Sequence, residues 1–389
     1  MARKHKHIFI STGEVSGDWH GADLIKALLA EAPARGIDLE ITALGGDRMA
    51  ATPAKLLGNT AGIGSVGALE AVRFVLPTLW LQQKVKRCLQ QHPPDLVVLI
   101  DYMLPNIMIG NFAKRVLGVP VVYYIAPQEW VWSINDRNTR QIAGFTDRLF
   151  AIFPEEANYY RRQHIPVEWV GHPCLASLAT VPDRAVVRAQ LGMAEDVPLI
   201  ALLPASRIQE IEAILPIIVQ AGKLIATKLP TAQFWLPLSR SVYRDRIARI
   251  LAKWQLPATI TEMPSQWIIR AADLVLAKSG TVNLETAILD VPQVVCYRVH
   301  PITAWLARHI TKVKFAFACP ANLVLMRAVV PELLQENATP AQIAELGLQL
   351  LTDPLRRQAM LDGYREIRSR LGQGNAVVRV AQGILDMLL

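Results

Sequence analysis

Cysteine is scarce and scattered: four residues, Cys88, Cys174, Cys296 and Cys319, in a chain of 389, with no CxxC pair and no histidine at zinc spacing. A disulfide framework and a structural zinc site are therefore excluded, and reduced, structural thiols of a cytosolic protein are expected. Charge is thin too, 19% against 52% hydrophobic residues, which excludes a disordered tail, a collagen-like fibre and a low-complexity linker. No charge-free apolar run approaches the ~18–20 residues of a membrane-spanning helix; even 56–69 holds four glycines and an Asn. Glu14 and Asp18 interrupt the basic N-terminus before any apolar stretch, so no secretion signal is expected. HExxH, DxD and GxSxG are absent, leaving a metal-dependent site or a serine hydrolase without support.

What is present is a restarted α/β pattern. His7–Ser11, Leu96–Ile100, Val119–Ile125, Arg148–Phe153 and Val167–Val170 are short β-rich runs, several apolar throughout, as in parallel sheets covered on both faces. A second series begins at Pro198–Leu203 and continues through Gln233–Leu236, Asp273–Ala277 and Gln293–Tyr297, with helical segments between. The break at 171–196 predicts an N-terminal Rossmann-like domain over 1–175, a second over 176–354, a cleft between them, and C-terminal helices over 355–389 that pack on the first domain or on a partner copy. Length alone supports two to three domains at ~150 residues each.

Lys plus Arg 41 against Asp plus Glu 33 gives a net charge of +8, suited to an anionic substrate, an acidic membrane surface or nucleic acid. No basic run or nucleic-acid-binding module accompanies it, so no nucleic-acid partner is expected. The stretch 63–80, with Val66, Leu69, Val72, Phe74, Leu76, Leu79 and Trp80 ahead of Lys84, Lys86 and Arg87, fits either a lipid-facing segment or a buried helix with a basic end; Pro77 should bend or divide it.

Five segments place chemistry-bearing residues where strands end. Gly13, Glu14, Ser16, Gly17 and Asp18 form the turn from the first strand into a helix. Glycines there let an anion or a sugar hydroxyl approach backbone amides, although the turn has neither GxGxxG nor P-loop spacing. Asp101 follows a buried apolar strand, where partial desolvation raises a carboxyl toward general-base strength, or else it caps the next helix; Asn106 lies just beyond. Gln128, Glu129, Trp130 and Trp132 suit a sugar's hydroxyls and apolar face, or serve packing. In the second half, Ser206–Arg207 and Ser279–Gly280–Thr281 stand at strand ends and could jointly hold a pyrophosphate, with Glu285 one turn further on for a ribose.

Taken in order, ISTGEVSGD, ALGGDRM, GIGSVGALE, the Asp101–Asn106 segment, APQEWVW, VGHP, LLPASR, KSGTVNLE and CPANLV resemble the lipid-A-disaccharide synthase family over residues 8–337. These are glycosyltransferases of two Rossmann-like domains facing a cleft, the GT-B type. The resemblance implies inverting transfer of 2,3-diacylglucosamine from UDP to the 6-hydroxyl of 2,3-diacylglucosamine 1-phosphate, without a cofactor or metal. It casts Asp101 as general base, with Glu14 as the rival carboxylate and Gly13, Ser16, Gly17, Asp18, Asn106, Gln128 and Trp130 at the reacting sugars. Ser206, Arg207, Ser279, Gly280, Thr281, Glu285 and Asn322 would hold UDP. It further implies a peripheral protein on an anionic membrane, at the cytoplasmic face of the inner membrane, and a homodimer exchanging C-terminal segments. Ala205, Lys278, Gln128–Glu129 and Tyr102–Met103–Leu104 depart from the family pattern. A UDP-sugar 2-epimerase, which has the same architecture, and a non-catalytic relative that binds UDP-sugar or lipid are the alternatives.

Overall fold

The computed structural model describes residues 3–13, 15–60, 68–132, 136–298 and 317–389. The chain divides into two compact units, Met1–Pro173 with Leu371–Leu389, and Cys174–Arg370.

In unit 1, strands β1 (Lys4–Ser11), β2 (Ile37–Gly45), β3 (Lys55–Asn59), β4 (Leu96–Ile100), β5 (Val121–Tyr124), β6 (Arg148–Ala151) and β7 (Val167–Trp169) alternate with helices α1 (Val15–Glu31), α2 (Asp47–Ala50), α3 (Ala68–Gln91), α4 (Met103–Phe112), α5 (Glu129–Trp132), α6 (Arg137–Phe145) and α7 (Pro154–Arg161). The strands form one parallel sheet in the order β3-β2-β1-β4-β5-β6-β7. The five residues of β4 are apolar and all buried, as a central strand covered on both faces requires. β1 pairs with β2 along its whole length but with β4 only from Ile8 onward, so its polar first half stays partly exposed while Ile8–Ser11 are buried. Phe9, Val97, Leu99, Val121, Tyr123, Phe145 and Leu149 belong to the core on one side of the sheet.

Unit 2 runs through α8 (Cys174–Leu178), α9 (Arg184–Gln190), β8 (Leu199–Leu203), α10 (Ile208–Lys228), β9 (Gln233–Pro237), α11 (Arg244–Trp254), β10 (Ala258–Thr261), α12 (Ser265–Ala271), β11 (Leu274–Lys278), α13 (Val282–Ile288), β12 (Gln293–Tyr297), α14 (Pro320–Leu325), β13 (Glu332–Leu334), α15 (Pro340–Thr352) and α16 (Pro354–Arg370). Its parallel sheet has the order β10-β9-β8-β11-β12-β13. Both sheets are Rossmann-like, and the direction of strand order reverses between β1 and β4 in one and between β8 and β11 in the other. Such switch points are where open α/β sheets bind ligands.

The segment 355–389, grouped from the sequence as one set of helices, is divided by the structure. Within it α16 buries Met360, Gly363, Tyr364 and Ile367 in unit 2, and a Cβ on Gly363 would lie 2.4 Å from Val329. The last helix, α17 (Ala376–Asp386), belongs to unit 1 and packs on α1. Gln382 donates to Glu31 (3.0 Å), Arg379 donates to Glu168 (3.0 Å), and Gly383 leaves room for the Phe150 ring. The unit boundaries accordingly fall at 173/174 and 370/371, each differing from the 175/176 and 354/355 read from the sequence. Pro77 lies inside the single helix α3. Strands β2, β3, β10 and β13 were not among the runs read from the sequence. None of the four cysteines is in a disulfide, three of them are buried, and burial pushes the Cys296 and Cys319 thiols up to about 12. Among the described residues no helix is long and apolar enough to cross a membrane.

Candidate functional site

In unit 1 the segments singled out from the sequence gather at the carboxyl ends of β1, β4 and β5, around the switch point. β1 ends at Ser11, and Thr12–Gly13 lead to α1. A Cβ on Gly13 would stand 2.2 Å from the Tyr102 ring, so the glycine is what lets the β4–α4 turn close over this loop. Gly17 makes similar room for the Thr12 hydroxyl. Ser16 is half-buried in the first turn of α1. Glu14 lies outside the described residues. Asp18, expected at the sugar, is engaged elsewhere, its carboxylate accepting the N–H groups of Gly46 (2.7 Å), Arg48 (3.0 Å) and Met49 (3.0 Å). It thereby caps α2, whose first amides would otherwise lack acceptors.

The β4–α4 turn is the most constrained part of the site. Asp101 and Tyr102 both adopt the left-handed conformation, φ 46° and 52°, at a cost of about 1–3 kcal/mol each for non-glycine residues. What offsets that cost is visible. The Asp101 carbonyl accepts from Asn106 Nδ2 (2.8 Å) and from the Tyr123 hydroxyl (2.9 Å), and its N–H donates to the Ile125 carbonyl (2.9 Å). Asn106 is fully buried; its Nδ2 also donates to Ile100 O and Ser11 O, and its Oδ1 accepts the Ser11 hydroxyl (2.7 Å). Its amide is thus engaged by protein groups, and it fixes the carboxylate's turn to the end of β1. The Asp101 residue itself is only half-buried.

After β5 the chain passes through Ile125, again left-handed (φ 58°). Gln128 is exposed; Trp130 is half-buried, its ring 5.8 Å from that of Phe153. Glu129 is buried and accepts from Asn138 (3.2 Å). The side chain of Trp132 is outside the described set. Two imidazoles close this region: burial lowers His20 to about 4 and His172 to about 3, so both are neutral and supply no cation for a phosphate.

Unit 2 brings its candidate residues together at the ends of the adjacent strands β8, β11 and β12. Arg207 is the residue before α10, half-buried, and Ser206 beside it is exposed. Glu210, in the first turn of α10, pairs with Lys278 at the end of β11 (2.8 Å), and the Lys278 ammonium lies 5.5 Å from the centre of the Tyr297 ring. Burial raises the Tyr297 hydroxyl, Glu210 raises it further, and Arg207 lowers it. Two cationic arms, Arg207 and Lys278, thus reach the surroundings of one phenol at the strand ends. The Gly280 N–H donates to Asn283 (2.7 Å), Thr281 is exposed, and the Ser279 hydroxyl donates to the Ala318 carbonyl (2.7 Å). Glu285 is half-buried and accepts from Gln266 (3.3 Å); burial pushes its carboxyl up to about 7.

Asn322 does not present its amide to a ligand. Fully buried, it donates to Val330 O and Glu332 and accepts the Val329 and Val330 N–H groups, which uses all four of its hydrogen-bonding positions. With Glu332, which accepts the Ala318 and Cys319 amides, it shapes the turn that receives the Ser279 hydroxyl. Ser11 and Glu332 were not among the candidate residues: the Ser11 hydroxyl reaches Asn106, 95 residues on, and Glu332 accepts the Ala318 and Cys319 amides, 14 and 13 residues back. Among the described residues, no group of three or more His, Cys, Asp and Glu side chains stands where it could hold a metal ion.

Residues 8–380 match the model of the lipid-A-disaccharide synthetase family. A lipid-A-disaccharide synthase of Gloeothece citriformis is 50% identical over 380 residues, 97% of this chain and 99% of that protein. One from Coxiella burnetii is 35% identical over 384 residues, 99% of each. Among solved structures, UDP-GlcNAc 2-epimerase from Neisseria meningitidis bound to UDP-GlcNAc superposes with TM-score 0.67 at 15% identity, covering 98% of this chain and 100% of that one. The glycotransferase of kitacinnamycin gives TM-score 0.64 at 15% identity, with all of both chains covered. At such identity these two share the fold, a GT-B arrangement of two Rossmann-type sheets, and nothing finer.

Proposed function

The chain belongs to the lipid-A-disaccharide synthetase family, and from that premise we propose that it transfers 2,3-diacylglucosamine from UDP to the 6-hydroxyl of 2,3-diacylglucosamine 1-phosphate with Asp101 as the base. Asp101 takes the hydroxyl proton as the oxygen attacks C1 of the donor sugar. The bond from C1 to the diphosphate breaks, UDP leaves, and the configuration at C1 inverts. Arg207 supplies fixed positive charge to the departing diphosphate, Lys278 being held beside it by Glu210, and Ser206, Gly280 and Thr281 border its binding turn. The observation that carries this assignment is the Asp101 turn: a half-buried carboxylate at a switch point, on a left-handed backbone clamped at three hydrogen bonds. Incubation of the purified protein with both lipid substrates should yield UDP and a tetraacyl disaccharide phosphate. No turnover in detergent that preserves the fold, or turnover of soluble UDP-GlcNAc without an acceptor, counts against it.

Glu285 is read as the acceptor of the ribose hydroxyls, a role that needs the ionised carboxylate. Its carboxyl stands near 7, above the ordinary 4.5, because of burial. Protonation on going below pH 7 therefore removes the acceptor, and UDP affinity should fall with pH there. Glu285→Gln should flatten that dependence relative to wild type, as titration calorimetry of both proteins at pH 6 and 8 would show.

The acyl chains call for a lipid-facing surface, and unit 1 offers one. On α3, Leu76 and Trp80 are 76% and 69% exposed, one turn apart, with Lys84 and Arg87 exposed on the same helix. Leu104 and Met108 are exposed on α4, which packs against α3. Of the stretch 63–80 read from the sequence, residues 63–67 and the side chains of 68–75 lie outside the described set. Peripheral binding to an anionic bilayer follows, apolar side chains entering the interface and cations meeting the headgroups. Flotation with phosphatidylglycerol vesicles should recover the protein at low salt and much less at 1 M, where the Debye length is about 3 Å; Trp80→Glu should abolish it. A homodimer exchanging C-terminal segments belongs to the same proposal.

A further inference from the structure

The segment after β5 is gripped from α7 at two points that neither the family resemblance nor the sequence pattern brought into the site. Glu156, fully buried, accepts the Ala126 N–H on Oε1 (3.0 Å), and on Oε2 it accepts the N–H groups of Ile152 (2.8 Å) and Phe153 (3.2 Å). One helical turn later Tyr160, also fully buried, donates its hydroxyl to the Pro127 carbonyl (2.9 Å). Residues at i and i+4 share a helix face, so a single face of α7 holds the ends of β5 and β6 together. The residue between β5 and the gripped pair is Ile125, left-handed, whose carbonyl accepts the Asp101 N–H (2.9 Å).

We infer that Glu156 and Tyr160 are positioning residues for the transfer reaction: through residues 125–127 they fix the backbone of the Asp101 turn, and with it the direction of the carboxylate. This rests on the assignment of Asp101 as base. Capping of α7 alone would need only the Ile152 and Phe153 amides; the reach to Ala126, 30 residues back in the chain, has no part in starting that helix. Burial pushes the Glu156 carboxyl up to about 7, while its three amide donors pull it down. A buried carboxylate kept at that cost, where an apolar side chain would fill the space, points to the acceptor geometry as its purpose. Gln at 156 has the same shape but one acceptor oxygen, so its NH₂ group must face a donor on one side or the other.

The test combines single and double variants. Glu156→Gln should lower kcat about 10²-fold, the order expected for a misplacement near 1 Å, with UDP affinity unchanged. In the Asp101→Asn background the same substitution should cost no further rate, because residues that act as a unit are non-additive. Losses that multiply in the double variant, or full activity of Glu156→Gln, would overturn the inference while leaving the base assignment intact. Wild-type activity of Asp101→Asn overturns the base assignment instead, and the inference with it. Should Glu156→Gln not fold, Tyr160→Phe, which removes one hydroxyl, replaces it in both arms: a loss of several-fold, absent in the Asp101→Asn background, is the expected result, and an unchanged rate or a multiplying loss the overturning one.

Discussion

Asp101→Asn should reduce transfer about 10²- to 10⁴-fold, the usual contribution of a positioned general base, while UDP affinity stays at the wild-type value. Asn is the informative replacement. It keeps the shape of Asp and tolerates the left-handed backbone at φ 46°, whereas Ala would add backbone strain to the loss of the carboxylate. A radiolabelled-lipid assay has the range to follow the residual rate, and calorimetry with UDP reports on the turns proposed to hold the nucleotide, Ser206–Arg207 and Gly280–Thr281, which lie in the other unit. A variant that transfers at the wild-type rate would move the base to another group, with Glu14 the first to test.

The second large effect concerns Asn106. Asn106→Asp should destabilise the protein by about 3–5 kcal/mol, the cost of an uncompensated buried charge. Its carboxylate would face the carbonyl oxygens of Ser11, Ile100 and Asp101, where Nδ2 now donates. Asn106→Ala is milder, with orphaned groups costing about 1–3 kcal/mol each. It should still lose most of kcat with little change in KM, since the amide positions the turn and does not bind the sugar. Thermal unfolding of both variants, with steady-state kinetics of the alanine form, checks the pair; a rise in KM at constant kcat would restore the direct sugar contact expected from the sequence.

The central strands were legible because burial on both faces leaves a continuous apolar run. Leu96–Ile100 and Gln293–Tyr297 carry the same bounds in sequence and structure. The strands that escaped notice are edge or near-edge members. β3 contains Gly58 and a register shift, β13 has three residues, and β2 begins Ile-Asp-Leu-Glu, a half-exposed pattern that blurs into loop. The strand-end turns Ser206–Arg207 and Ser279–Thr281 show themselves as small polar residues at the ends of apolar runs. Asn106, Asn322 and Asp18 carry the same local signal, yet each holds backbone groups that the sequence cannot bring near. Glu156 carries no local signal at all, because the Ala126 amide it accepts comes 30 residues earlier.

Unit 1 is written in two instalments, with all of 174–370 inserted between them. A ribosome making ~5–20 residues per second therefore releases α17 roughly 10–40 s after the first sheet has emerged, and until then α1 lacks the cover that α17 provides. The uninterrupted unit can finish folding first. A premature stop after residue 370 would leave that unit whole and strand its elder neighbour half-dressed, a natural client for chaperones.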